Sequence, residues 1–127
     1  CDIEPHLGME RPVFLYEYPA ALGALARRKA GDSAFAERFE LYIAGVELAN
    51  AFSELTDAQE QRQRFEEAGR SRRLQGGSVY PMPETFLAAL PQMPPSAGIA
   101  LGVDRLAMIL AGKVRIDDVV AFTPESL

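Results

Sequence analysis

Tryptophan is absent from this 127-residue sequence, cysteine occurs once, at Cys1, and histidine once, at His6. A single cysteine closes no intrachain disulfide, so no covalent framework holds the fold, and a reducing, cytoplasmic setting is expected. His6 lies in a Pro- and Gly-punctuated lead-in with no second histidine or cysteine near it, which excludes the ligand spacing of a zinc site. No apolar run approaches the ~20 residues of a membrane-spanning helix, and no basic-then-apolar leader opens the sequence, so no membrane partner is expected. Positive charge is also scarce. The 13 Lys and Arg against 18 Asp and Glu leave a net charge of −5, which argues against broad attraction to nucleic acid or anionic lipid. The arginines at 62, 64, 70, 72 and 73 are concentrated, and read as a solvated helix end.

What remains is 48% hydrophobic, enough to build the core of one ordinary domain. Val13 to Tyr18 is β-branched and aromatic, stopped by Pro19, and predicts a strand. Ala20 to Lys29 has the composition of a short helix, or of a loop with one helical turn, since Gly23 weakens the pattern. From Phe39, apolar residues alternate with Glu40 and Tyr42, and after Ala44-Gly45 the alternation resumes at Val46, Glu47 and Leu48. This predicts a tight hairpin with Gly45 supplying positive φ. Pairing Ile43 with Val46 sets Tyr42 opposite Glu47 and Glu40 opposite Ala49, so both acids share one side of the ribbon as diagonal neighbours. Two such carboxylates converge on a cation or are separately solvated; the pattern alone leaves both open. Strict alternation puts Asn50 on the other side, unless a bulge intervenes.

Thr56 to Gln59 has the form of a capping box, opening a polar surface helix to about Arg73 with Ala58 and Phe65 as its few buried candidates. Glu84 to Leu90 predicts a second, short helix after Pro83. The run Ser96 to Leu106 then reads as a buried strand opening into a helix over Asp104 to Ala111, ended by Gly112. Gly98, Ala100 and Gly102 fall at period two and leave one face of that strand almost bare, where a flat group has room. The same spacing also suits a core strand relieved by glycine, with Arg105 at the surface. A last turn and β segment is expected over Ile116 to Phe122. Strands paired by hairpins and mixed with helices indicate an antiparallel α+β fold.

Arg38-Phe39-Glu40-Leu41-Tyr42, the stretch Glu47 to Asp57, and Gly98 to Arg105 together resemble, in order and separation, the catalytic domain of class II lysyl-tRNA synthetases. More closely they resemble a truncated paralogous group that attaches β-lysine to a lysine of elongation factor P. The similarity covers Pro12 to about Phe122. It implies an antiparallel β-sheet flanked by helices and a ligase in which the carboxylate of lysine or β-lysine attacks ATP to give an aminoacyl-adenylate. It further implies that Arg105 is the catalytic arginine on the adenine and terminal phosphate, that Glu40 and Glu47 hold Mg against the ATP phosphates, and that Gly102 lines the ATP site. Glu54 would pair with the substrate's side-chain ammonium, and Asn50 would lie near its carboxylate.

Ala100 stands where lysyl-tRNA synthetases carry glycine, and its methyl narrows the space beside the substrate amino group. Methyl-scale differences in a pocket are worth roughly 1–3 kcal/mol, which favours β-lysine over lysine without excluding either. Ala49 departs from the synthetases in the same way, and Ala51 replaces a glycine common to both groups, which nothing in the sequence explains. The first and second class II motifs, for the dimer interface and the α-phosphate, are absent from these residues. The 127 residues are therefore expected to be the C-terminal portion of the catalytic domain of a longer, homodimeric enzyme, inactive by themselves. Aminoacylation of tRNA-Lys and a non-catalytic synthetase-like binding module are the alternatives.

Overall fold

The computed structural model describes residues 2–123; Cys1, on which the disulfide argument turns, lies outside them. The elements run β1 (Val13–Pro19), β2 (Phe35–Ile43), β3 (Val46–Ser53), α1 (Ala58–Leu74), α2 (Glu84–Ala89), β4 (Ala97–Leu101) and α3 (Val103–Leu110). The strands form one antiparallel sheet in the order β1-β2-β3-β4, so the α+β class expected from the sequence is what forms. No helix among the described residues is long and apolar enough to cross a membrane.

The β2–β3 hairpin turns on two residues with positive φ, Ala44 at 51° and Gly45 at 75°. That is the backbone of the tight turn whose twist matches its strands. Gly45 is required twice over, because a Cβ there would lie 2.5 Å from the Pro5 carbonyl oxygen. The lead-in is tied to this tip by Ala44 N–H donating to Gly8 O and Gly45 N–H to Leu7 O, both at 2.8 Å.

Burial skips every second residue through Glu40 and Tyr42 in β2, but Leu48 and Ala49 are both buried in β3.

Several local expectations are corrected. Of the two readings of Ala20 to Lys29 the loop with one turn is the one that forms, a 3₁₀ turn at Ala20–Leu22 that Gly23 and a left-handed Ala24 (φ 47°) end. The chain beyond pairs instead through isolated bridges, Ala26 with Glu54 and Arg28 with Ala36. The N-cap of α1 is Asp57 rather than Thr56. Its carboxylate accepts from the N–H groups of Gln59 (2.8 Å) and Glu60 (3.0 Å), and its charge complements the helix dipole as a hydroxyl cannot. The residue that α1 buries is Gln61, at 1% exposure, while Ala58 and Phe65 are half-buried. After α2 a 3₁₀ turn, Leu90–Gln92, takes over, since Pro91 has no N–H to continue the α-helical ladder. The tail forms a 3₁₀ turn at Ile116–Asp118 and no further strand among the described residues.

The largest departure is β4. All five of its residues are exposed, with Ile99 at 63% and Leu101 at 48%, and β4 is one of the two edge strands of the sheet. The expected strand forms but is exposed rather than buried, so the core-strand reading of its small residues does not hold.

Packing divides the chain into two units, one of Cys1–Tyr16, Phe39–Ala51 and Ile99–Leu127, the other of Glu17–Arg38 and Phe52–Gly98. The first buries Tyr42, Leu48, Ala49, Ala51 and Met108. The second buries Ala26, Ala36, Leu55, Leu87 and Leu90 together with Gln61.

Candidate functional site

The first unit holds Glu40, Glu47, Asn50, Ala100, Gly102 and Arg105. Glu40 faces inward on β2 and is 6% exposed, an unusual place for a carboxylate. Its solvation is replaced by protein donors: Tyr42 Oη donates to Oε2 at 2.6 Å, and the Asn50 amide Nδ2 lies 3.5 Å from Oε1. Tyr42, two residues along the same strand and 2% exposed, is a site residue that the sequence reading set beside Glu40 without giving it a role. The i,i+2 spacing was the available signal. Asn50 reaches Glu40 against strict alternation.

Arg105 sits in the first turn of α3, whose N-cap is Gly102. Gly102 N–H donates to Leu48 O at 2.9 Å, which pins the start of the helix to β3. A Cβ on Gly102 would stand 3.1 Å from Cδ of Arg105, so the missing side chain makes room for the arginine stem. The guanidinium Nη1 donates to the Glu47 carbonyl at 2.6 Å and lies 3.8 Å from the Glu47 carboxylate. One nitrogen thus anchors the fork to β3. The side chain stays 47% exposed, leaving donors for an incoming anion. The sequence reading pointed this guanidinium at the bare face of β4, and its anchor on Glu47 was not legible there. Ala100 is exposed at mid-β4.

In the second unit, Glu54 N–H donates to Ser96 O at 2.9 Å, setting the last residue paired beyond β3 against the entry to β4. Its carboxylate Oε1 occupies space that a side chain at position 98 would take, 2.9 Å from where a Cβ on Gly98 would lie. Gly98 therefore decides where the Glu54 carboxylate can sit.

Among the described residues no three carboxylate, imidazole or thiolate groups gather as an all-protein metal cage. Glu40 and Glu47 each carry a carboxylate in the first unit, one buried and one part-exposed. Carboxylate oxygens of this kind are the hard donors that magnesium takes alongside water and phosphate.

The family of class II tRNA synthetases (D, K and N) matches residues 3–126. The chain is 53% identical over 122 residues to the elongation factor P–(R)-β-lysine ligase of Edwardsiella ictaluri, covering 95% of this chain and 38% of that protein. The ligase of the same name from Proteus mirabilis is 53% identical over 121 residues, covering 94% and 37%, and that of Photorhabdus laumondii is 51% identical over 122 residues, covering 95% and 38%. The chain thus spans under two fifths of the length of these curated relatives.

Proposed function

The chain belongs to the class II tRNA synthetase family, and from that premise we propose that it forms part of an ATP-dependent ligase that activates lysine or β-lysine and passes it to a lysine of elongation factor P. The observation that carries the reading is the anchored but half-exposed Arg105 beside Glu47, a fixed cation next to a carboxylate with donors to spare. In the first step the substrate carboxylate attacks the α-phosphorus of ATP, forming the acyl-phosphate bond and releasing pyrophosphate. In the second, the acceptor amine attacks the activated carbonyl, an amide bond forms and AMP leaves with the electron pair.

Arg105 would hold a nucleotide phosphate and lie against the base, since a planar, permanently charged guanidinium serves both. Glu47 and Glu40 would hold magnesium, with Tyr42 and Asn50 fixing the Glu40 carboxyl. Bound there, the ion would supply positive charge against the nucleotide phosphates. Gly102 keeps the Arg105 stem clear of the helix start. We assign Glu54 to the substrate's side-chain ammonium, Asn50 to its carboxylate, and the exposed methyl of Ala100 to discrimination in favour of β-lysine.

The relatives named above are more than twice as long as this chain, which supports the view that further residues complete the site and that the 127 residues alone do not turn over. The parent protein would be a cytoplasmic homodimer. The test is ATP–pyrophosphate exchange with (R)-β-lysine and with lysine, run on the 127-residue chain and on the full-length protein, followed by transfer to elongation factor P or to tRNA-Lys. Exchange by the full-length protein alone, and label on elongation factor P, are expected. The family's description favours a second reading, aminoacylation of tRNA-Lys, which label on the RNA would establish. Absence of exchange with either amino acid would leave the non-catalytic module.

A further inference from the structure

The arginines of α1 divide into two sets. In its first half Arg62 pairs with Glu84, and Arg64 pairs with Glu60 while donating to the carbonyls of Ala24 and Ala26. In its second half Arg70, Arg72 and Arg73 are all exposed and have no carboxylate partner among the described residues. These three line a groove of about 670 Å³ between α1 and the segment Val79 to Pro83, entirely within the second unit. The volume falls inside the roughly 300–1,000 Å³ range of ligand pockets.

The rest of the lining is mostly apolar. Phe65 and Met82 are half-buried in it, Val79 is 43% exposed, and Glu66 is its only acid. Tyr80 stands out at 70% exposure with the Arg72 guanidinium 4.9 Å from its ring centroid, which orders an aromatic that would otherwise be loose in solvent.

Three guanidiniums with no carboxylate partner among the described residues, around an apolar lining on a chain whose net charge is −5, form a local reversal of sign. The last turn of a helix favours positive charge through its dipole, which accounts for Arg72 and Arg73 on the helix. It does not account for an apolar groove left open beside them. Apolar anchors flanked by carboxylates answer both features: the anchors enter against Phe65, Val79 and Met82, and the carboxylates meet the arginine forks in charge-assisted hydrogen bonds.

We propose that this groove is a docking site for an acidic segment of a partner protein carrying aromatic or large aliphatic side chains. A nucleic acid matches the charge but has no saturated side chains for the apolar lining, and the acidic remainder of the chain repels its backbone. The proposal does not depend on the catalytic reading, because none of its residues belongs to the candidate active site.

The test is fluorescence anisotropy on the full-length protein with a labelled peptide of glutamates and aspartates interrupted by phenylalanines. An equally acidic peptide with serine for phenylalanine and a single-stranded RNA oligonucleotide serve as comparison probes. Saturable, salt-sensitive binding of the first peptide is expected. It should weaken about tenfold or more, a loss of ~1.4 kcal/mol, both in the triple charge reversal Arg70→Glu, Arg72→Glu, Arg73→Glu and in Val79→Asp. All four positions are exposed, and far-UV circular dichroism checks that the variants fold. The proposal is overturned by no binding, by equal binding of the serine peptide, by binding indifferent to the substitutions in folded variants, or by RNA binding in preference to the peptide.

Discussion

Arg105 is held by Glu47 through the main chain: Nη1 donates to the Glu47 carbonyl at 2.6 Å, while the Glu47 carboxylate is 3.8 Å away. The anchor is a peptide oxygen that no side-chain substitution at 47 removes, so the positions of the cation and of the neighbouring acid are separable by mutation.

Glu47→Gln is therefore expected to leave Arg105 in place and to change stability by less than ~1 kcal/mol, the usual worth of an ion pair this exposed. On the proposed reading it weakens Mg–ATP binding by the full-length protein about tenfold or more, which is ~1.4 kcal/mol. Calorimetric titration with Mg–ATP beside a thermal melt checks both halves; a large loss of melting temperature with unchanged binding would oppose the assignment.

Tyr42→Phe removes the donor from a buried carboxylate oxygen. Leaving such a group unsatisfied costs about 1–3 kcal/mol, so the urea midpoint should fall accordingly with little change in slope. Adding the substitution Glu40→Leu to it should recover part of the loss, because both partners are then apolar.

Ala44 occupies the left-handed region at φ 51°, which costs a residue with a Cβ about 1–2 kcal/mol. Asparagine tolerates that region, and Asn-Gly is the preferred pair for this turn. Ala44→Asn is expected to raise stability by roughly 0.5–1 kcal/mol. Chemical denaturation measures it, and a destabilised variant would show that the turn is held differently.

Gly98→Ala places a methyl where the Glu54 carboxylate now lies. The carboxylate is the movable end of a flexible side chain, so the melting temperature should shift little. On the proposed assignment of Glu54 to the ammonium, lysine binding by the full-length protein should weaken about tenfold, as in Glu54→Gln. A Gly98→Ala protein that binds lysine normally would separate the two residues.

Acid sensitivity has a named source in the second unit. Burial pushes the Glu60 carboxyl up, but hydrogen bonds from Arg28 and Arg64 outweigh it and hold the group below the ordinary carboxylate range. Glu37 is lowered by hydrogen bonds from Arg27, then Ser53. Carboxyls lowered on folding contribute stability that is present above the ordinary range and lost as pH falls through the lowered values. Urea midpoints should thus decline below the ordinary glutamate range, and Glu60→Gln should flatten that decline. An unchanged acid limb in the variant would place the dependence elsewhere.

Local codes in the chain were enough for the hairpin at Ala44-Gly45, for strand β1 between Val13 and Pro19, and for the helix that carries Arg105. Glycine, proline and alternation act over a few residues, and the backbone answers to them directly. The family was legible for the same reason, since Glu40, Glu47, Asn50, Glu54 and the run Gly98 to Arg105 stand at characteristic separations. The cap at Asp57 was missed by one residue because adjacent Thr56 and Asp57 are both good caps, and only the path of the chain chooses between them.

The sequence by itself determined the α+β class, the turn chemistry and which residue types were available for a site. The tertiary structure alone decided that β4 is an exposed edge, that Asn50 meets Glu40, that Tyr42 donates to that buried acid, and that Arg105 is anchored on a peptide carbonyl. Each depends on which segments lie side by side. A backbone oxygen has no sequence signature, and a side chain's burial belongs to its neighbours rather than to itself.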